Sequence, residues 1–422
     1  MNKRRLAAFA GVYGSVALGI AAALVVLRVL GPSGAGRFSI VVGAVDFLAL
    51  LVWLTSDDAL VKYGFRYSAA GDWGRFHRLV RLAFTCEVVA SLGASALIAA
   101  IAPFTGSIFH HGGAGLATPM LIAALLPPLQ AFESIAAATL ILSGRYDLRG
   151  IWLTLSMGLR LAGIATGAHW GVTAAVLGVV CAQVLTTISI LAVGLRGLRL
   201  FPAAEPTPLA DDRGPIIRFV AQSAAYTGLI SLRTWIAPLT LGIVRNATAV
   251  GLFRGAQAPQ TGFAALSSPL RMILLTEQTR DWENGRPEVV LAGIRRYTIG
   301  ATVIAAVALG PALWLMPWAV RVVLTAKYLP AVSAARLILA AAAIQMILSW
   351  TKTFPVTIGR PGLRLIAHGV ETAVLLPLII VFGKLWGVTG AGVAVLVSSG
   401  AFALAWAAIY LRLRRRGFAA PA

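Results

Sequence analysis

Charged side chains placed inside long apolar runs are where this 422-residue chain could do chemistry. An ionised group at mid-membrane costs about 3 kcal/mol on insertion scales, so such residues are candidates for lining water or holding a charged ligand. Arg28, Arg160, Arg233 and Arg254 are the cations of this kind, and Asp46, Glu87, Glu133 and Glu371 the acids. Lys62, Arg271, Arg336 and Lys352 lie within a turn or two of a predicted helix end, where long stems can snorkel to the headgroups. A guanidinium suits a bidentate grip on phosphate. A carboxylate exposed first to one side and then the other suits exchange of a proton or sodium ion.

Helical phase groups these residues. At about 100° per residue, Arg254, Gln257, Thr261, Ser268 and Arg271 fall within an arc of roughly 100°. Gln222, Tyr226, Arg233 and Thr240 fall within about 40°, and Ser39, Gly43, Asp46 and Asp57 share a face. Polar stripes on membrane helices face a bundle interior or a water-filled cavity. For the Ser and Thr members the plainer role is an interhelical hydrogen bond worth about 0.6 kcal/mol. Arg233, Arg254, Arg28 and Gln257 are thus the candidate substrate-binding residues of a cationic cavity. Asp46 and Glu133 are the candidate coupling acids, Asp46 ranking first because Asp57 shares its face; structural pairing with a nearby arginine is the alternative for each. No catalytic residue, cofactor or metal-ligand set is expected, since Cys86 and Cys181 both lie in apolar runs.

The elements that carry these residues follow from composition. The chain is 59% hydrophobic and 12% charged, with a mean hydropathy of +0.84, whereas an ordinary globular domain is roughly a quarter charged. The reading is an all-α polytopic membrane protein of about twelve transmembrane helices, since crossing the hydrocarbon takes about twenty residues. The predicted spans are 6–30, 38–60, 82–102, 118–142, 150–168, 172–195, 217–243, 249–275, 298–318, 332–355, 365–383 and 387–411. The N-terminal Met-Asn-Lys-Arg-Arg leads into an apolar run too long for a cleaved signal, so the first span reads as an uncleaved helix.

Net charge is +21, but the cations are scattered singly between apolar runs instead of gathered on one face, which argues against nucleic acid. With the N-terminus in the cytosol, the basic residues of 66–81, 145–149, 196–218, 280–296, 360–364 and 412–416 fall on the cytoplasmic side. The other side receives Arg37, Arg245, Arg321, Lys327 and Lys384. That bias satisfies the positive-inside rule and predicts a bacterial inner-membrane protein with both termini cytoplasmic.

The sequence also repeats itself. Gly144-Arg145-Tyr146-Asp147-Leu148-Arg149-Gly150-Ile151 returns as Gly359-Arg360-Pro361-Gly362-Leu363-Arg364-Leu365-Ile366 at an offset of 215. Trp170-Gly171-Val172-Thr173 returns as Trp386-Gly387-Val388-Thr389 at 216, and Gly36-Arg37-Phe38 as Gly251-Leu252-Phe253 at 215. Anchors in order at one offset indicate duplication of a six-helix lobe. An even number of helices per repeat relates the halves by an axis along the membrane normal. The expected divisions are 1–195 for the first lobe, 196–216 for a cytoplasmic linker rich in proline and charge, and 217–422 for the second lobe.

The run Gly31-Pro32-Ser33-Gly34-Ala35-Gly36-Arg37-Phe38-Ser39, with Ala249-Val250-Gly251-Leu252-Phe253-Arg254-Gly255-Ala256-Gln257-Ala258-Pro259, resembles the Wzx-type oligosaccharide flippases. Their superfamily also holds the MATE multidrug exporters and the lipid II flippase. The resemblance implies two six-helix lobes in a V, with helices one, two, seven and eight lining a central cavity. It further implies transfer of undecaprenyl-pyrophosphate-linked oligosaccharide from the cytoplasmic to the outer leaflet by alternating access, for surface polysaccharide biosynthesis. Arg254 matches an arginine that relatives often carry; Arg28 and Arg233 come from depth and phase alone. Where many relatives place an acid before the proline late in helix seven, this chain has Ala237-Pro238, so the resemblance assigns no coupling acid there. The implied partners are the lipid-linked substrate, membrane lipids, a polysaccharide polymerase and glycosyltransferases, with a monomer as the default. Two other readings stay open: a MATE-like cation-coupled exporter, which would want an acidic cavity, and a membrane glycosyltransferase or polymerase, which would want a large outer loop or metal-binding acids.

Overall fold

The computed structural model describes residues 3–52, 56–109, 115–198, 200–261, 278, 281–282, 284–358, 360 and 362–416. Every regular element among them is helical. In chain order the main helices are α1 Lys3–Val52, α2 Ser56–Ala70, α3 Trp73–Ile101, α4 Ala117–Ala123, α5 Leu126–Leu142, α6 Tyr146–Ala168 and α7 Val172–Leu198. Then follow α8 Arg213–Val244, α9 over residues 247–261, α10 Pro287–Val323, α11 Val332–Ile347 and α12 Gly362–Arg416. Eight stretches of the described residues are long and apolar enough to cross a membrane. Two of them, Ala10–Leu50 with 41 residues and Gly362–Arg415 with 54, have length for two crossings each at about twenty residues apiece. Both break at a glycine, Gly31 (φ 65°) and Gly387 (φ 59°). Each predicted span therefore has a helical counterpart; the eighth lies outside the described residues beyond 261.

The chain is a polytopic membrane protein, and its surface fits that solvent. Val89, Leu92, Val303, Val307 and Leu404 stand exposed on long helices, as suits a surface bathed in lipid. Trp170, Trp314, Trp318 and Trp386 are also exposed, and indoles favour the headgroup level of a membrane.

Duplication reaches the hydrogen bonds of the turns. Asp72 N donates to Tyr67 O at 2.9 Å and Arg286 N to Asp281 O at 3.0 Å, an offset of 214; Gly71 and Gly285 beside them have φ of 69° and 71°. Arg145 N donates to Leu140 O at 2.9 Å and Arg360 N to Pro355 O at 2.7 Å, an offset of 215. The bonds of Asp72, Arg286 and Arg145 each follow a left-handed glycine, Gly71, Gly285 and Gly144, the six-to-one pattern that closes a helix end. Helix starts obey the same register: Trp73 with Pro287, Ala117 with Val332, Tyr146 with Gly362.

Two compact units result, Met1–Trp235 and Ile236–Ala422, with the seam inside α8. In unit 1, α6 and α7 approach so closely that a Cβ on Gly178 would sit 2.0 Å from Gly163 O, the small-residue packing that membrane helices use in place of a hydrophobic drive. The connection after α7 belongs to this unit. Phe201 packs against Trp73 and Phe76, with centroids 5.9 and 4.9 Å apart, and Leu209 is buried with them. Thr207 N donates to Gly74 O, and His77 Nε2 lies 2.9 Å from Pro202 O. In unit 2, Trp350, Phe354, Phe402 and Trp406 form an aromatic core with Val290 and Ile294 of α10.

Candidate functional site

Arg254 and Gln257 are set by the buried side of their own helix. Asn246 Oδ1 caps α9 by accepting from Ala249 N at 2.8 Å. Val250, Phe253 and Ala256 are buried to within 1%. Gly255 has no room for a side chain, because a Cβ there would stand 2.6 Å from the ring of fully buried Tyr328. With that side pressed into unit 2, Arg254 and Gln257 emerge on the remaining arc, both half-buried. The guanidinium Nη1 donates to Gln257 Oε1 at 3.3 Å, which holds one edge of the fork and steers the group. Thr261 Oγ1 donates back to Gln257 O at 3.2 Å; Ser268 and Arg271 lie outside the described residues.

The other candidates are in unit 1. Arg28 is exposed three residues before the Gly31 break, and Asp46 is half-buried in the second half of α1. Neither is an isolated charge. Arg233 sits on α8, its side chain outside the described residues, as are those of Tyr226 and Asp57; Gln222 is exposed. Glu133 of α5 accepts from Gln183 Nε2 of α7 at 2.6 Å, Gln183 also reaches Thr187 Oγ1 at 3.3 Å, and Arg160 acts electrostatically on the same carboxylate. Helices α5, α6 and α7 thus meet through one polar cluster. The structure brings Arg254 to Gln257 and Glu133 to Gln183.

Glu87 lines a small cleft within unit 1, with Ser91, Gln130 and small apolar side chains of α1, α3 and α5. Its free space of about 30 Å³ holds one or two waters, not a glycan. A second buried acid, Glu371, is met by Gln345 Nε2 at 3.1 Å and His368 Nδ1 at 3.2 Å. The sequence reading named Glu371 but missed His368 and Gln345. The signal available was the His368/Glu371 spacing of three, which stacks both on one helix face. Among the described residues no group of three or more His, Cys, Asp or Glu side chains is placed to hold a metal ion.

At the α2–α3 hairpin of unit 1, Asp212 collects Tyr67 Oη at 3.0 Å, Arg75 Nη1 at 3.4 Å and Arg66 Nη1 at 3.4 Å. Burial together with the adjacent Asp212 carboxylate pushes the Tyr67 phenol up to about 12.

No protein-family model and no curated protein matches the chain. Solved structures do. A lipid II flippase, MurJ, in an inward closed conformation superimposes with a TM-score of 0.75 at 12% identity, covering 95% of this chain and 86% of that one. An inward-facing multidrug resistance MATE family transporter of the MOP superfamily gives 0.70 at 17% identity over 96% of both chains. A MOP superfamily transporter from Pyrococcus furiosus, described by the reverse polarity of its binding pocket, gives 0.62 at 15% identity over 97% and 94%. At such identities the likeness speaks to architecture: the chain has the fold that these transporters and flippases share.

Proposed function

We propose that this protein is a flippase that moves undecaprenyl-pyrophosphate-linked oligosaccharide from the cytoplasmic to the outer leaflet of a bacterial inner membrane, with both termini in the cytosol. The observation that carries this reading is the Arg254–Gln257 pair on α9, a steered guanidinium within a predicted membrane span. A pyrophosphate has the charge and the paired oxygens that such a fork grips. Arg233 and Arg28 belong with Arg254 to the cationic set of the sequence reading, with the glycan in water and the polyprenyl tail in the bilayer. The structural likeness to a lipid II flippase supports a lipid-linked substrate. Neighbouring polymerase and glycosyltransferases would consume and supply it. Proton or sodium coupling would use a buried acid, Asp46 or Glu133 on the sequence reading.

The test is export of surface polysaccharide in cells carrying R254A or R233A. Export is expected to be lost with protein abundance unchanged; normal export in both variants rules out the cationic path. A second reading, a MATE-like exporter of organic cations, is favoured by the likeness to MATE transporters and opposed by a charge balance of 36 basic against 15 acidic residues. Drug accumulation assays separate the two.

A further inference from the structure

Among the described residues each unit has a carboxylate tied to a glutamine across helices, Glu133 to Gln183 and Glu371 to Gln345, and the cation beside it differs. In unit 1 the cation acting on Glu133 is Arg160, which keeps its charge at any physiological pH. In unit 2 the partner of Glu371 is His368, with Nδ1 3.2 Å from Oε2, and histidine is the side chain whose charge changes near neutrality. Glu371 is 1% exposed. Gln345 Nε2 of α11 bridges Glu371 Oε1 at 3.1 Å and Ser399 Oγ at 3.3 Å, and the imidazole stacks on Phe402 with centroids 5.0 Å apart. Thr372 Oγ1 and Trp406 Nε1 of the same helix are buried with no hydrogen-bond partner among the described residues.

α11 presents Gln345, and the second half of α12 presents Ser399 and Phe402 with no charged residue from 388 to 411. On the first half of α12 the adjacent cation is Arg364, one turn before His368; Lys352 and Arg360 lie in the segment that precedes the helix. From α10, Tyr297 Oη donates to Met346 O at 2.9 Å, and Arg295 and Arg296 are exposed. Tyr410 packs on Trp350. Glu371 is nine residues past the start of α12, about 13 Å along the axis, within the span.

We propose that His368 and Glu371 form a proton-binding site in unit 2, an inference that rests on the coupled-flippase reading above. Unloaded, a neutral imidazole donates Nδ1–H to the carboxylate and the pair carries one negative charge in an apolar interior. Uptake of one proton from water makes the pair neutral overall. Release of the proton requires water at the site, which alternating exposure to the two sides supplies.

The test uses the full chain in nanodiscs with 15N-labelled histidine; the chain has five histidines, and H368Q assigns one resonance by its loss. The His368 signal is expected to change with pH, and that response is expected to differ in E371Q. A signal that does not respond to pH, or a response that E371Q leaves unchanged, overturns the proposal. If E371Q is not recovered from membranes, E371A takes its place with the same two outcomes. In proteoliposomes holding a fluorescent polyprenyl-pyrophosphate-linked oligosaccharide, an imposed pH gradient is expected to change the wild-type flipping rate about fivefold. In H368Q the gradient should no longer alter the rate; a wild-type response in H368Q also overturns the site. No flipping of that lipid by the wild type would instead remove the proposed function, and the titration would still decide the proton site.

Discussion

Arg254 leaves α9 beside a glycine that cannot carry a side chain and three residues before the amide that holds it. That arrangement separates two contributions of the residue, its charge and its orientation. Lysine at 254 keeps the charge but offers a point ammonium in place of a planar fork, so R254K is expected to retain a minor part of the export that R254A loses. Leucine at 257 leaves the guanidinium in place and removes its steering hydrogen bond, which at 3.3 Å falls at the low end of the range for a charged partner, about 1.5 kcal/mol. Q257L should therefore weaken the apparent substrate affinity roughly tenfold while leaving the maximal rate of flipping in proteoliposomes close to wild type. A maximal rate that collapses with the affinity unchanged would place Gln257 in the transport step and not in holding the arginine. The same residue scale shows what pattern reading could reach. Arg254 and Gln257 were legible because a period of 3.6 puts them on one arc; His368 was hidden because one histidine in an apolar run is most often a core residue, and only the fold shows which carboxylate it meets.

At the scale of elements, the connection between the halves is the clearest departure from what composition suggests. Its prolines and charges read as a plain linker, yet Phe201 and Leu209 insert among Trp73, Phe76 and Tyr67, and Asp212 closes the strap by receiving Tyr67, Arg66 and Arg75. Hydropathy windows also end the second and third spans at the bilayer, whereas α2 and α3 continue as a hairpin with only Gly71 and Asp72 between them. The continuation is written in capping chemistry, Gly71 at φ 69° and the Asp72 side chain accepting from Arg75 N at 3.0 Å, which an apolar average does not register. The strap makes a pH prediction. Tyr67 has its pKa raised from 10.0 to about 12, so its contribution to stability is complete below about pH 10 and fades as the pH climbs through about 12. Thermal unfolding in detergent should show a Tm that falls across that window in the wild type and falls less in Y67F. Equal slopes in the two proteins would mean that the phenol–carboxylate contact does not hold the strap. Because Arg66 and Arg75 are substantially exposed, their ion pairs with Asp212 add little, about 1 kcal/mol or less.

For the molecule as a whole, the twelve crossings, the duplication and the positive-inside bias depend on one another, and one measurement probes all three. If each half has an even number of crossings, the two halves share an orientation, and equivalent turns must lie on the same side. The turns at Gly171 and Gly387 are equivalent by sequence and by backbone, with φ of 104° and 59°, and each follows an exposed tryptophan. The strap at 200–212 lies one crossing away from the first of these and must be on the opposite side. Single cysteines report this directly once Cys86 and Cys181, both free and exposed, are changed to alanine. In intact cells with a permeable outer envelope, K384C and H169C should react with a membrane-impermeant maleimide. A204C, exposed in the strap, should react only after the inner membrane is opened. Labelling of K384C from outside with H169C protected would give the halves opposite orientations and remove the parallel duplication. Labelling of A204C from outside would invert the protein and put the cationic turns where the positive-inside rule disfavours them.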